Sequence, residues 1–151
     1  MYRYTLAETY KYNYDFSKLF ANNDLQELRN EWGVIYPDSI EINEEYSWDG
    51  CSGPAWQGKT IEPEEWMPVV KEGGYRYATT LAASLVHDFT CQFTSEIRRK
   101  TGLSYGVVRK VSDDVFYDVL KKSKFRFRKL YYAGVRVWGW MMGAKNSLIR
   151  A

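Results

Sequence analysis

A chain of 151 residues, with 45% hydrophobic and 26% charged side chains, can bury about two-thirds of the surface its unfolded form exposes as one domain, without a metal or disulfide framework. Two cysteines exclude the dense cross-linking of a small secreted protein and point to a reducing compartment, or a virion assembled in one; no stretch reaches the roughly 18–20 apolar residues that span a bilayer, and MYRYTLAETYKYNYDF lacks the apolar core of a signal peptide. The net charge of +2 hides an asymmetry, with 13 acidic and 5 basic side chains in residues 1–68 against 6 acidic and 16 basic in 69–151, so either the halves fold as one body with complementary faces or the basic half meets an anionic partner.

In chain order, residues 2–14 alternate with period two, Tyr2, Tyr4 and Leu6 and then Tyr10, Tyr12 and Tyr14, which predicts strands broken by a turn near Glu8 and Thr9. SKLFANNDLQELRNEW has Leu19, Leu25, Leu28 and Trp32 at loosely helical spacing, with Asn22, Asn23 or Asp24 as cap, and GVIYPDSIEINEEYSW returns to extended character. Residues 1–48 therefore read as mainly β with one short helix, and 49–74, where most prolines and glycines fall, as loop. Residues 75–146 read as helical. Leu81, Leu85, Phe89 and Phe93 recur every four residues in a helix closing on RRK, which suits the negative end of its dipole. Val108, Val111, Val115 and Val119 form a second stripe, and Leu130, Gly134, Val137 and Met141 a third. Gly139 and Gly143, four apart, permit close helix approach. The predicted class is α+β: an N-terminal antiparallel sheet, then an antiparallel helix pair, then a third, aromatic helix.

At about 100° per residue, Asp88 falls within about 20° of Leu81 and about 60° of Leu85, on or beside the apolar stripe, where a carboxylate needs a partner. His87, the only histidine, lies on an adjoining face, with the small residues Ser84 and Cys91 one turn to either side. In SDDVFYDVL the two aspartates are not equivalent: Asp114 joins Lys110 and Asp118 on the polar side, whereas Asp113 shares a flank with Phe116 and Leu120. A buried salt bridge and a satisfied core histidine explain this pattern as well as catalysis does, and Arg109, one turn before Asp113, is a ready partner.

Upstream, YSWDGCSGPAW combines an Asp-Gly pair, small residues and Gly-Pro. Such a loop can turn backbone carbonyls toward one point and, with Asp88 nearby, suits a hard cation such as calcium; it is equally the composition of a tight surface turn.

DGCSGP, then HDF on one helix and DDVF on the next, resembles the D-G-C-S, H-D and D-x-x-F layout of bacterial and fungal secreted phospholipase A2 enzymes. It is still more similar, from about Tyr4 to Gly143, to the domain of unknown function 1353 family of phages and bacteria. The phospholipase resemblance implies a phage or bacterial calcium-dependent ester hydrolase with His87 as general base, Asp113 orienting its imidazole, and calcium held by Asp88, Asp49 and carbonyls near Ser52 and Gly53. It further implies a phospholipid or other anionic ester as substrate, attacked by a water that His87 deprotonates, with no acyl-enzyme. The phospholipases place a cysteine one turn before the histidine, where this chain has Ser84; a Cys51–Cys91 pairing is left open.

One histidine excludes a phosphohydrolase built on several histidine ligands, Cys51, Cys91 and His87 have no zinc-ligand spacing, and no G-x-S-x-G is present for a serine nucleophile. KKSKFRFRKLYY interleaves bases with aromatics, as a grip on single-stranded nucleic acid or an anionic membrane does, but Phe125, Phe127, Leu130 and Tyr131 equally suit a core, so nucleic acid is not the expected partner. The alternative to the enzyme is a virion component or host-interaction protein, in which the same residues are structural and the Trp and Tyr excess serves an interface. The expected location is the host cytoplasm or the virion.

Overall fold

The computed structural model describes residues 4–49, 68–70 and 80–150. Residues 50–67 and 71–74 of the expected loop, including Cys51, Ser52 and Gly53, and the expected helix start at Tyr75 lie outside the described residues.

The alternating N-terminal segment forms β1 (Tyr4–Thr5) and β2 (Tyr10–Asn13), broken by a bend, and the later extended stretch forms β4 (Gly33–Tyr36), β5 (Ser39–Ile42) and β6 (Ser47–Trp48). With β3 (Leu28–Asn30) they make an antiparallel pair, β1 with β6, and a four-stranded antiparallel sheet in the order β2-β5-β4-β3. Register follows burial: Tyr10 opposes Ile42, Tyr12 opposes Ile40, and Ile35 lies between Leu28 and Ile40, so one face of the sheet is a continuous apolar layer.

The helix expected over SKLFANNDLQELRNEW is absent. A single 3-10 turn, Ser17–Leu19, remains of it, and Leu28 enters β3. Asparagines decide this locally. Asn23 accepts from the Leu25 N–H and donates to the Leu19 carbonyl, and Asn30 accepts from the Trp32 N–H, so side chains satisfy the backbone as turns where a helix would have to nucleate.

The helical half follows the predicted order. α1 (Leu81–Thr101) buries Leu81, Leu85, Phe89 and Phe93 and stops at Gly102, whose φ of 76° is the left-handed conformation glycine tolerates. α2 (Tyr105–Lys122) is capped by the Ser104 hydroxyl, which accepts from the Val107 N–H, and buries Val108, Val111, Val115 and Val119. α1 and α2 run antiparallel, as contacts rising on one and falling on the other show: His87 meets Asp113, and Cys91 meets Arg109. The fold is α+β, with the sheet against α1 and α2 through Trp48 Nε1 donating to Ser84 Oγ (3.0 Å) and the Tyr12 hydroxyl donating to Asp118 (2.6 Å).

α3 (Arg128–Arg150) forms, but its predicted stripe faces the wrong way: Leu130, Gly134, Val137 and Met141 are exposed. Polar anchors set the rotation. Tyr132 donates to Asp114 (2.6 Å), Arg136 reaches Asp113 (3.0 Å), and Gly139 and Gly143 let α2 approach so closely that a Cβ would stand 2.6 Å from Arg109 Nε and 2.9 Å from the Tyr105 ring. Leaving a buried carboxylate unpaired costs more than exposing a few apolar side chains. Of the residues in KKSKFRFRKLYY, Phe125 is buried and Tyr131 packs against the core, whereas Leu130 does not.

Gly33 marks the closest approach of sheet and helix. A Cβ there would collide with the Glu41 carbonyl and stand 2.9 Å from the Phe89 ring. Because one obstacle is backbone, Gly33→Ala is expected to destabilise by about 1–3 kcal/mol in urea unfolding; an unchanged midpoint would mean that β4 and α1 separate freely.

Candidate functional site

α1 and α2 each direct one polar group into their interface. His87 Nε2 lies 2.8 Å from Asp113 Oδ1, and since a carboxylate there accepts, Nε2 carries a proton, which in the neutral imidazole leaves the lone pair on Nδ1. The imidazole rests beside the Phe116 ring, centroids 5.0 Å apart, and is mostly buried; the Asp113 side chain is completely so. The residues predicted to act together are thus in contact.

Asp113 has two further partners. Arg136 Nη1 donates to Oδ2 at 3.0 Å, and Arg109 Nε lies 3.1 Å from Oδ1. The Arg109 Nε–H makes no hydrogen bond, so this contact supplies charge without direction, and the directed bond to Oδ1 comes from His87. Arg109 spends its other nitrogens on the Cys91 sulfur (3.2 Å) and the Val135 carbonyl (3.3 Å). Sequence reasoning identified Arg109 as a partner one turn away and missed Arg136. Its only signal was a lone base within an otherwise apolar helix segment.

Cys91 is a free thiol 3.9 Å from His87 Nδ1. Burial pushes it up to about 12 despite the neighbouring Arg109, so it is a poor nucleophile at neutral pH. Asp114, expected as a solvated charge, does pair with Lys110 (2.8 Å) but also anchors Tyr132.

Asp88 faces the residue that follows β6. It accepts from the backbone N–H of Asp49, and burial, reinforced by the Asp49 charge, pushes its carboxyl up to about 7. Asp88 and Asp49 together offer the hard oxygen donors that suit a divalent cation. Ser52 and Gly53, the other expected ligands, lie outside the described residues, and among the described residues no three His, Cys, Asp or Glu side chains converge as a metal site.

The raised Asp88 carboxyl makes a pH prediction. It binds its proton more tightly folded than unfolded, so its contribution to stability is complete below the ordinary carboxylate range, near about 4, and is lost as pH rises through about 7. Asp88→Asn is expected to abolish this slope and to be more stable than wild type at about pH 8, by something on the order of 2–4 kcal/mol at most. Thermal unfolding of both proteins at about pH 5 and about pH 8 measures it, and parallel profiles would reassign the slope to other groups.

A groove of about 430 Å³, lined by Asn30, Glu31, Trp32, Tyr46, Phe89, Gln92 and Glu96, lies on the opposite face of α1 from His87. Comparison with protein-family models, curated proteins and solved structures returns no match.

Proposed function

We propose that this chain is a calcium-dependent, phospholipase A2-like ester hydrolase of phage or bacterial type. The observation that carries this reading is the 2.8 Å contact of His87 Nε2 with the buried Asp113, which holds the imidazole in the tautomer whose Nδ1 can take a proton from water. His87 takes a proton from the water as its oxygen bonds to the ester carbonyl carbon, while Asp113 holds the ring in place and faces the charge that develops on it. Collapse of the tetrahedral intermediate then breaks the acyl C–O bond, the leaving alcohol oxygen receiving the proton back from His87. Asp88 and Asp49 would hold calcium, which when bound would supply positive charge for a substrate phosphate and the oxyanion.

Fatty-acid release from phosphatidylglycerol vesicles, with calcium and with EDTA, tests this directly. Calcium-dependent release by wild type and its loss in His87→Gln are expected. No hydrolysis of any phospholipid or simple ester, with wild type and variant alike, would end the proposal. Calcium at 100 times its dissociation constant should also stabilise wild type by about 2.7 kcal/mol, and Asp88→Asn not at all.

One observation favours a second reading, a virion component or host-interaction protein. Two arginines already neutralise Asp113, as in a structural ion network that needs no chemistry. Fixed-stoichiometry recovery with assembled particles, and indifference of every hydrolytic assay to His87→Gln, are its expected results.

A further inference from the structure

The solvent-facing side of α3 is more apolar than its buried side. Leu130, Val137, Trp138, Trp140 and Met141 are 64%, 58%, 58%, 74% and 49% exposed, while Tyr132, Arg136 and Gly139 face α2. At about 100° per residue, Leu130, Val137 and Met141 fall within about 40° of one another, with Trp138 and Trp140 on the two flanks. Five large apolar side chains exposed along one helix face form a patch of the kind that marks an interaction surface.

Charge selects the occupant. After Asp118 the chain carries nine basic residues and no acidic one. Lys121, Lys122, Lys124, Arg126 and Lys129 are all exposed around the corner where α2 passes into α3. A second copy docked in parallel through α3 would bring two such corners together, against Coulomb repulsion, whereas an anionic surface attracts the corner in any arrangement. Tryptophans on an apolar helix face with lysine and arginine beside it are the composition of a helix that lies in a membrane interface. None of the helices among the described residues is long and apolar enough to cross a bilayer, which leaves lying on it.

We propose that the outer face of α3 docks this protein on anionic lipid bilayers, with Leu130, Val137, Trp138, Trp140 and Met141 entering the headgroup boundary and the Lys121–Lys129 corner meeting the lipid charge. The inference does not depend on the hydrolase reading, because binding rather than hydrolysis is the readout and His87→Gln is expected to bind as wild type does.

The full chain would be floated with vesicles of phosphatidylcholine alone and of phosphatidylcholine mixed with phosphatidylglycerol, with tryptophan emission recorded alongside. Expected are binding to the mixed vesicles with a blue shift, weakening in high salt, and a loss of about tenfold or more in Trp138→Ala/Trp140→Ala and in Lys124→Glu/Arg126→Glu/Lys129→Glu. Both variants alter exposed side chains and should keep the wild-type unfolding midpoint. Failure of wild type to bind mixed vesicles, binding untouched by the tryptophan variant, or a collapse of that variant's midpoint would overturn the proposal. So would a wild-type dimer in sedimentation that the tryptophan variant converts to monomer, since the face would then belong to a second copy.

Discussion

Asp113→Ala is expected to lower the unfolding free energy by about 3–5 kcal/mol, the largest loss of any single polar substitution considered for this chain. The carboxylate is fully buried, accepts from His87 and Arg136 at 2.8 and 3.0 Å, and lies 3.1 Å from Arg109 Nε as an ion pair. Its removal leaves the Arg109 guanidinium, itself buried, with a neutral carbonyl and a thiol as its remaining hydrogen-bond partners. A buried charge without a counter-ion is far more costly than the pair that preceded it, because the desolvation remains after the attraction is gone. Arg136, whose side chain is 36% exposed, can turn to water and should add little. In urea the midpoint should fall without a change of slope, and on heating by roughly 10 °C. A loss below about 1 kcal/mol would mean that Arg109 finds another partner, and would remove Asp113 as the organiser of the interface. Replacing Asp113 and Arg109 together by apolar residues should recover much of the loss, since no charge is then left alone.

The second large effect is on rate. If His87 is the general base, His87→Gln should reduce turnover by about 10²–10⁴ while leaving KM nearly unchanged, because the lost interaction belongs to the transition state. Glutamine can still donate to Asp113 and rest beside Phe116, so the fold should survive the change, which separates a chemical defect from a structural one. Initial rates on a soluble short-chain ester and on vesicles, with the unfolding midpoint measured on the same samples, decide it. Equal rates for wild type and variant would assign the His87–Asp113 contact to architecture. Asp113→Asn should cut the rate as well, since an amide can present a donor to Nε2 and favour the wrong tautomer.

Much of the fold was legible because local periodicity reports burial. The every-four spacing of Leu81, Leu85, Phe89 and Phe93 and the valines of α2 marked faces that are buried in the structure, and the alternating tyrosines marked β1 and β2. The same reasoning put Asp113 at the edge of the α2 stripe and His87 beside that of α1, while their meeting was expected only from the phospholipase resemblance. It failed at SKLFANNDLQELRNEW, where leucines at helical spacing were outweighed by asparagines that close Asx turns and by the pairing of Leu28 with Ile35.

What the sequence by itself determined is therefore the α+β order of the elements, the inward faces of α1 and α2, and the residue types able to meet between them. These rest on spacing along one element. Only the tertiary structure decided which way α3 faces, that Arg136 joins Asp113, and that the Asp49 N–H donates to Asp88. Each of those is settled by a partner far away in the chain, and the physical reason is the same in the first two cases. Satisfying a buried charge outweighs hiding an apolar stripe, so the carboxylates of α2 set the rotation of α3 against its own hydrophobic pattern and left its tryptophans outside.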